Sequence, residues 1–228
     1  MPNFQQKPEK FEVSNENQLY FTSDLHYFHK RIVEFTERAT TFENLSEWIT
    51  TQCNSVIPKA TKNKKVTTIH LGDFAFSCTN QELEKVILSL NGDWWFVLGN
   101  HDNADKLLSV INKINAEKGT NHRVLGWYYR LLVSQKRISN NEKKSKKLLV
   151  LCHFPIEDWD SKHYGSAMIH GHLHGGGSNH EGDGVTKLPN RFDVGIDNSH
   201  DQTPFSYEDL KVILRKTRGE IEYAGSSI

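Results

Sequence analysis

Short apolar runs alternate with amphipathic stretches along this chain, and the two kinds differ in period. Residues 18–23, 66–71, 94–98, 148–152, 167–170 and 192–195 are mostly apolar or β-branched runs of strand length. Between the early ones, Leu45, Trp48, Ile49, Cys53 and Val56 recur at helical spacing until Pro58 ends the run. A second helical stripe, Leu83, Val86, Ile87 and Leu90, opens on a capping box from Thr79 to Glu82 and stops near Gly92. A third, over residues 103–117, carries Leu107, Leu108, Ile111 and Ile114. This alternation predicts an α/β layered domain, with the stripes as core packing. Residues 124–133 read as a strand or hairpin, and 139–147 as a solvated, lysine-rich loop. Residues 171–184 are glycine-rich, which predicts a loop that approaches something closely or moves. No repeat or long linker divides the chain, so residues 1–228 are expected to form one domain, with polar residues 1–17 as an N-terminal extension.

Charge and composition narrow the function. Lys+Arg and Asp+Glu both number 28, so no global basic field attracts nucleic acid. No apolar run approaches the roughly 20 residues of a membrane span, and the first eighteen residues lack the apolar core of a signal peptide. The cysteines, Cys53, Cys78 and Cys152, form no CxxC pair and suit a reducing compartment, so the expected location is the cytoplasm. Histidine is the unusual residue. Six of the twelve fall between His153 and His180, a density that points to metal.

Polar residues cluster just after the strand-like runs. Asp24-Leu25-His26 follows the first, Gly72-Asp73 the second, and Gly99-Asn100-His101-Asp102 the third. His153 follows the fourth and Gly171-His172-Leu173-His174 the fifth. Taken singly, Asp24 reads as a helix cap, Gly72-Asp73 as a turn, and Gly99–Asp102 as a turn plus cap. Two imidazoles at i and i+2 in a Gly-flanked loop rarely serve packing. Ligands of layered α/β folds bind beyond the carboxyl ends of the strands, so five such deliveries imply one shared site. Its oxygen and nitrogen donors match divalent cations of intermediate hardness.

This ordered set resembles the calcineurin-like metallophosphoesterases, from about residue 18 to residue 210. The run from Phe21 to His26, with His29, Arg38, Phe42 and the run from His70 to Phe76, is similar to a branch of small bacterial and phage phosphoesterases. His153-Phe154-Pro155 and the run from Phe192 to Asp197 fit the same branch. The resemblance implies a four-layer α/β/β/α sandwich with two divalent metals, Mn²⁺ foremost and Fe²⁺, Zn²⁺ or Ni²⁺ as alternatives. It implies that Asp24, His26 and His174 hold one metal, that Asn100, His153 and His172 hold the other, and that Asp73 bridges them. His101 would be no ligand but would face the leaving group, and a hydroxide shared by the metals would attack phosphorus in line. His29, Arg38 and Asp102 are candidates for the substrate side; their structural alternatives are a helix-start packing role for His29, an ion pair for Arg38, and orientation of His101 or a cap for the next helix for Asp102. His170 is expected to be buried structure.

Two departures matter. Gly72-Asp73 continues into Phe74-Ala75-Phe76 instead of the aspartate and arginine of the protein phosphatase branch, and Phe28 stands where the small branch has glycine. The leading expectation is hydrolysis of a small, nucleotide-like phosphate mono- or diester, without membrane association. A nuclease acting on single-stranded nucleic acid is the first alternative. An inactive scaffold is the second, and exposure of Trp94, Trp95, Trp127 or Trp159 at an interface would support it.

Overall fold

The computed structural model describes residues 7–135, 145–174 and 188–220. In chain order its elements are β1 (Glu9–Val13), β2 (Asn17–Thr22), α1 (Ile32–Phe35), α2 (Leu45–Val56), β3 (Lys65–Leu71), α3 (Asn80–Ser89), β4 (Asp93–Val97), α4 (Ala104–Lys118), β5 (Arg123–Gly126) and β6 (Tyr128–Gln135). There follow β7 (Lys146–Cys152), β8 (Ala167–His170), β9 (Arg191–Asp193), β10 (Phe205–Ser206) and α5 (Tyr207–Thr217), with 3₁₀ turns at Lys162–Tyr164 and Ile196–Asn198. One sheet runs β10-β2-β3-β4-β5 and the other β1-β6-β7-β8-β9. Pairing is parallel except between β10 and β2 and between β6 and β7.

Side-chain alternation along each strand builds the layers. Leu19, Phe21, Ile69, Leu71, Trp95 and Val97 of the first sheet meet Leu131, Val133, Leu149, Leu151, Ala167 and Ile169 of the second in one core. The intervening residues Val66, Trp94 and Phe96 point the other way, onto the apolar faces of α2, α3 and α4. On the far face of the second sheet, Val150, Cys152 and Met168 pack with Trp159, whose loop carries the 3₁₀ turn Lys162–Tyr164. Helix α5 closes the sandwich edge by placing Tyr207, Leu210 and Leu214 in the inter-sheet core. The expected α/β sandwich is therefore present, its outer covering over the second sheet thin among the described residues. No helix there is long and apolar enough to cross a membrane.

Three expectations need correction, and the exposure of the tryptophans is decided. Residues 124–133 are not a hairpin. Gly126, at φ 87°, ends β5 at the edge of the first sheet, and the chain then passes through Trp127 into β6 in the second. Residues 7–17 are no mere extension, because β1 pairs with β6 and buries Phe11 against Trp95. Lys146 and Lys147 open β7 instead of ending a loop, and the Lys147 ammonium donates to Gly165 O and Asn190 Oδ1. Trp94, Trp95 and Trp159 are buried, which leaves Trp127 exposed among the four tryptophans considered for an interface. The rest of the lysine-rich loop, 139–144, and residues 175–184 of the glycine-rich one lie outside the described residues, as does His180. The expected capping box forms, Thr79 with Glu82 on α3, and a second one, Ser206 with Asp209, opens α5.

Candidate metal centre

The polar motifs meet at the carboxyl ends of β2, β3, β4, β7 and β8. The local backbone there is unusual. Asp24 (φ 57°), His26 (52°), Asp73 (59°), His172 (78°) and His174 (47°) all lie in the left-handed region. Non-glycine residues there cost on the order of 1–3 kcal/mol each and persist only where surrounding structure enforces them. Main-chain bonds between the loops supply that enforcement: Asp24 N donates to Gly72 O (3.0 Å), His26 N to Asp73 O (3.0 Å) and Gly171 N to His153 O (3.0 Å). Glycine is required for the close approach. A Cβ on Gly99 would lie 2.2 Å from Asp73 Oδ1, and one on Gly171 1.9 Å from Ser23 Oγ.

Two donor sets result. Asp24 Oδ1 lies 3.9 Å from Nε2 of His26 and 3.9 Å from Nε2 of His174. On the other side, His153 Nε2 is 3.1 Å from Asn100 Oδ1 and 3.2 Å from His172 Nδ1. Asp73 stands between them. Its Oδ2 lies 3.6 Å from His26 Nε2, 3.4 Å from His153 Nε2 and 4.0 Å from His101 Nε2. Its Oδ1 accepts the His101 backbone N–H at 2.9 Å.

These residues fit a cation. Asp24 Oδ1 and both ring nitrogens of His26 are buried without a hydrogen-bond partner, a costly state for polar groups unless something else binds them. Asp24, Asp73 and Asp193 are buried together, and the nearby guanidinium of Arg38 is committed to Asp197. Carboxyl groups buried this closely must take up protons or be balanced by positive charge, which a cation on these donors would supply. Burial pushes Asp24 upward and lifts Asp193 to about 7, where Asp24 adds to the effect. Burial, then His174, holds His26 down at about 2, so its imidazole is neutral and able to act as a ligand. Burial likewise lowers His172. Burial would also lower His153, but the Asp73 carboxylate overrides it and raises the group to about 9. At His174 burial is similarly outweighed by Asp197.

Outer contacts aim the imidazoles. His153 Nδ1 meets Leu71 O at 2.8 Å and His174 Nδ1 meets Asp197 Oδ2 at 2.8 Å, which leaves each Nε2 toward the centre. Asp197 was quoted in the branch motif but given no role by sequence reasoning. It sits well below the usual carboxylate range, at about 2, because burial is outweighed by His174 and Arg38. Asp193 is the other unassigned residue, and its Oδ2 has no partner.

Two substrate-side candidates are corrected. Arg38 does not face the site. Its Nε and Nη2 donate to Asp197 at 2.7 and 2.8 Å, and its other bonds go to Asp24 O and Leu25 O. Asp102 is a brace, not a substrate contact or a helix cap. Its carboxylate accepts from the backbone N–H groups of Asp73, Phe74 and Gly99 at 2.8–2.9 Å, locking two loops together, while Asn103 caps α4. His29 lines the site beside His26 and Phe76, with ring centroids 5.3 and 4.7 Å away, and its Nδ1 has no partner. The His101 side chain is 41% exposed at the rim, edge-on to Phe76. His170 is buried, as expected. A narrow cavity of about 50 Å³ runs from His101 past Asn103, Cys78 and Lys106.

Comparison with known proteins agrees with this geometry. The family model for calcineurin-like phosphoesterases matches residues 18–196. No curated protein sequence matches the chain. The crystal structure of a protein of unknown function, AQ665 from Aquifex aeolicus, has a similar fold, with a TM-score of 0.57 and 20% identity over 86% of this chain and 99% of that one.

Proposed function

The chain belongs to the calcineurin-like phosphoesterase family, and on that premise we propose that it is a dinuclear metal-dependent hydrolase of a small, nucleotide-like phosphate mono- or diester. One observation carries the reading. Asp73 Oδ2 lies within 3.4–3.6 Å of a histidine from each of two separate donor sets, the position a shared carboxylate must occupy. Asp24, His26 and His174 would hold one cation, Asn100, His153 and His172 the other, and Asp73 both. Mn²⁺, or Fe²⁺, Zn²⁺ or Ni²⁺, suits these mixed imidazole and carboxylate donors. When bound, two such cations acidify water and neutralise phosphoryl oxygens.

The chain's own residues supply orientation and a proton. Asn100 contributes an uncharged oxygen, so the second set is less negative than the first. His101 follows it in the same loop, with its backbone fixed on Asp73 Oδ1 and its ring at the rim. From there a protonated imidazole would donate to the departing ester oxygen, a contribution of typically 10²–10⁴-fold. Helix α4 begins at Ala104, just beyond, so its positive end is directed toward an anion at this rim.

The test is a hydrolysis panel of phosphomonoesters, linear and cyclic diesters and nucleotides, run after chelation and after Mn²⁺ is restored. Activity should vanish and return. His101→Ala should keep both metals and lose more rate on alkyl than on nitrophenyl esters, because nitrophenolate departs without a proton. Activity that survives complete removal of transition metal overturns the assignment. Equal losses on both kinds of ester remove His101 from the acid role.

A further inference from the structure

Two large, exposed apolar side chains close in the chain to the site loops belong to no core cluster. Phe154 directly follows His153 and is 40% exposed. Its ring centroid lies 5.0 Å from that of His153 and 4.8 Å from that of His172, both in edge-to-face arrangement. Trp127 is 53% exposed and lies where the chain crosses between sheets. The preceding Gly126 O accepts from Leu98 N at 2.8 Å, and the following Tyr128 pairs with Cys152. Residue 127 is thus flanked in register by the loop carrying Asn100 and by the loop carrying His153 and Phe154.

Past His101 the cavity is narrow, at about 50 Å³. On the other side Phe154 borders the second donor set directly. Its edge-to-face contacts fix the ring, and among the described residues no aromatic ring stacks flat upon it. A fixed, accessible aromatic face is suited to a planar heterocycle, which stacks without needing specific hydrogen bonds.

We propose that Phe154 forms a stacking platform for the base of a nucleotide whose phosphate occupies the metal centre, with Trp127, on the strand paired to its loop, as the second ring. The inference rests on the phosphoesterase reading and deepens it by naming the part of the substrate that these rings recognise.

Calorimetric titration of the Mn²⁺-loaded protein with adenosine 5′-monophosphate and with ribose 5-phosphate isolates the base, since both ligands present the same phosphate. The nucleotide should bind tighter by about fivefold or more. Phe154→Leu, which keeps apolar bulk without an aromatic face, should bring that ratio to near one, and Phe154→Trp should restore it. The nucleotide, but not the sugar phosphate, should quench the fluorescence that is lost in Trp127→Phe. Equal affinities in the unaltered protein overturn the platform while leaving the phosphoesterase reading intact. So does a Phe154→Leu variant that weakens both ligands equally and sheds metal, because the ring then only seats His153 and His172. If neither phosphate binds while two Mn²⁺ ions are held, the phosphoesterase reading fails and the platform fails with it.

Discussion

Asp73 combines three constraints in one residue. Its backbone is left-handed at φ 59°, its amide is held by Asp102, and its carboxylate divides between the His101 amide and the centre. Burial alone would raise its pKa, but His153 and the His101 amide more than offset this and keep it ionised well below the usual carboxylate range. A single anionic oxygen facing both donor sets couples them. Asp73→Asn should therefore lower bound metal at both positions together, where loss of Asn100 or His26 should empty mainly one. Elemental analysis of the purified variants measures this directly. Two tightly held metals in Asp73→Asn would show that Asp73 does not join the sets. Phe28 is informative at the same scale. It sits at φ 67°, where the related branch has glycine, and it remains half-buried against the helical core, so side-chain packing holds a backbone that glycine would adopt freely.

At the scale of elements, the strand order carries the site and the loops lock one another. Ser23 and Gly195 form a bridge that ties β2 of one sheet to the end of β9 in the other, and His172 N donates to Asp24 Oδ2 across the same gap. Away from the centre, α4 is tied to β4 through His122. Its Nδ1 accepts from Trp94 N at 2.9 Å, and its backbone exchanges bonds with Asn115 at 2.8 and 2.9 Å. Burial lowers the pKa of this imidazole below 6.5, with Asp93 opposing. The unfolded chain therefore takes up the proton first, so His122 contributes stability above pH 6.5 that declines as pH falls toward the lower, folded-state value. The limiting slope for one proton is about 1.4 kcal/mol per pH unit. His122→Gln should lose about 1 kcal/mol at pH 7 through the Trp94 bond. It should also lose less additional stability than the unaltered protein between pH 7 and pH 5, as read by urea unfolding. An identical decrement would show that His122 binds its proton equally in both states.

For the whole molecule, balanced charge argues against a polyanionic partner. Lys+Arg and Asp+Glu are equal at 28, and phosphate contacts from cationic side chains dominate nucleic-acid affinity. Single-stranded DNA should bind no tighter than about micromolar at physiological salt, and it should compete weakly with a nucleoside monophosphate. Nanomolar binding with a steep salt dependence would favour the nuclease alternative. The scaffold alternative loses its support from Trp94, Trp95 and Trp159, which are core residues.

The strands β2, β3, β4, β7 and β8, the helices α2 to α4 and the five polar motifs were legible in the sequence because each is a local pattern. Period, cap and glycine spacing act over a few residues, and a polar motif after an apolar run marks a strand end wherever the strand lies. β1, β10 and α5 were not read. The first two are short edge strands whose identity comes from the neighbour they pair with, and α5 carries its Ser206–Asp209 box on a sparse apolar stripe. Residues 124–133 show the same limit, since apolar continuity cannot reveal that Trp127 lies between two sheets. Only tertiary structure decided the roles of Arg38, Asp102 and Asp197. Arginine and aspartate carry the same chemistry whether they meet substrate or protein. The partner 159 positions away, Asp197 for Arg38, turns a candidate phosphate contact into the support of His174.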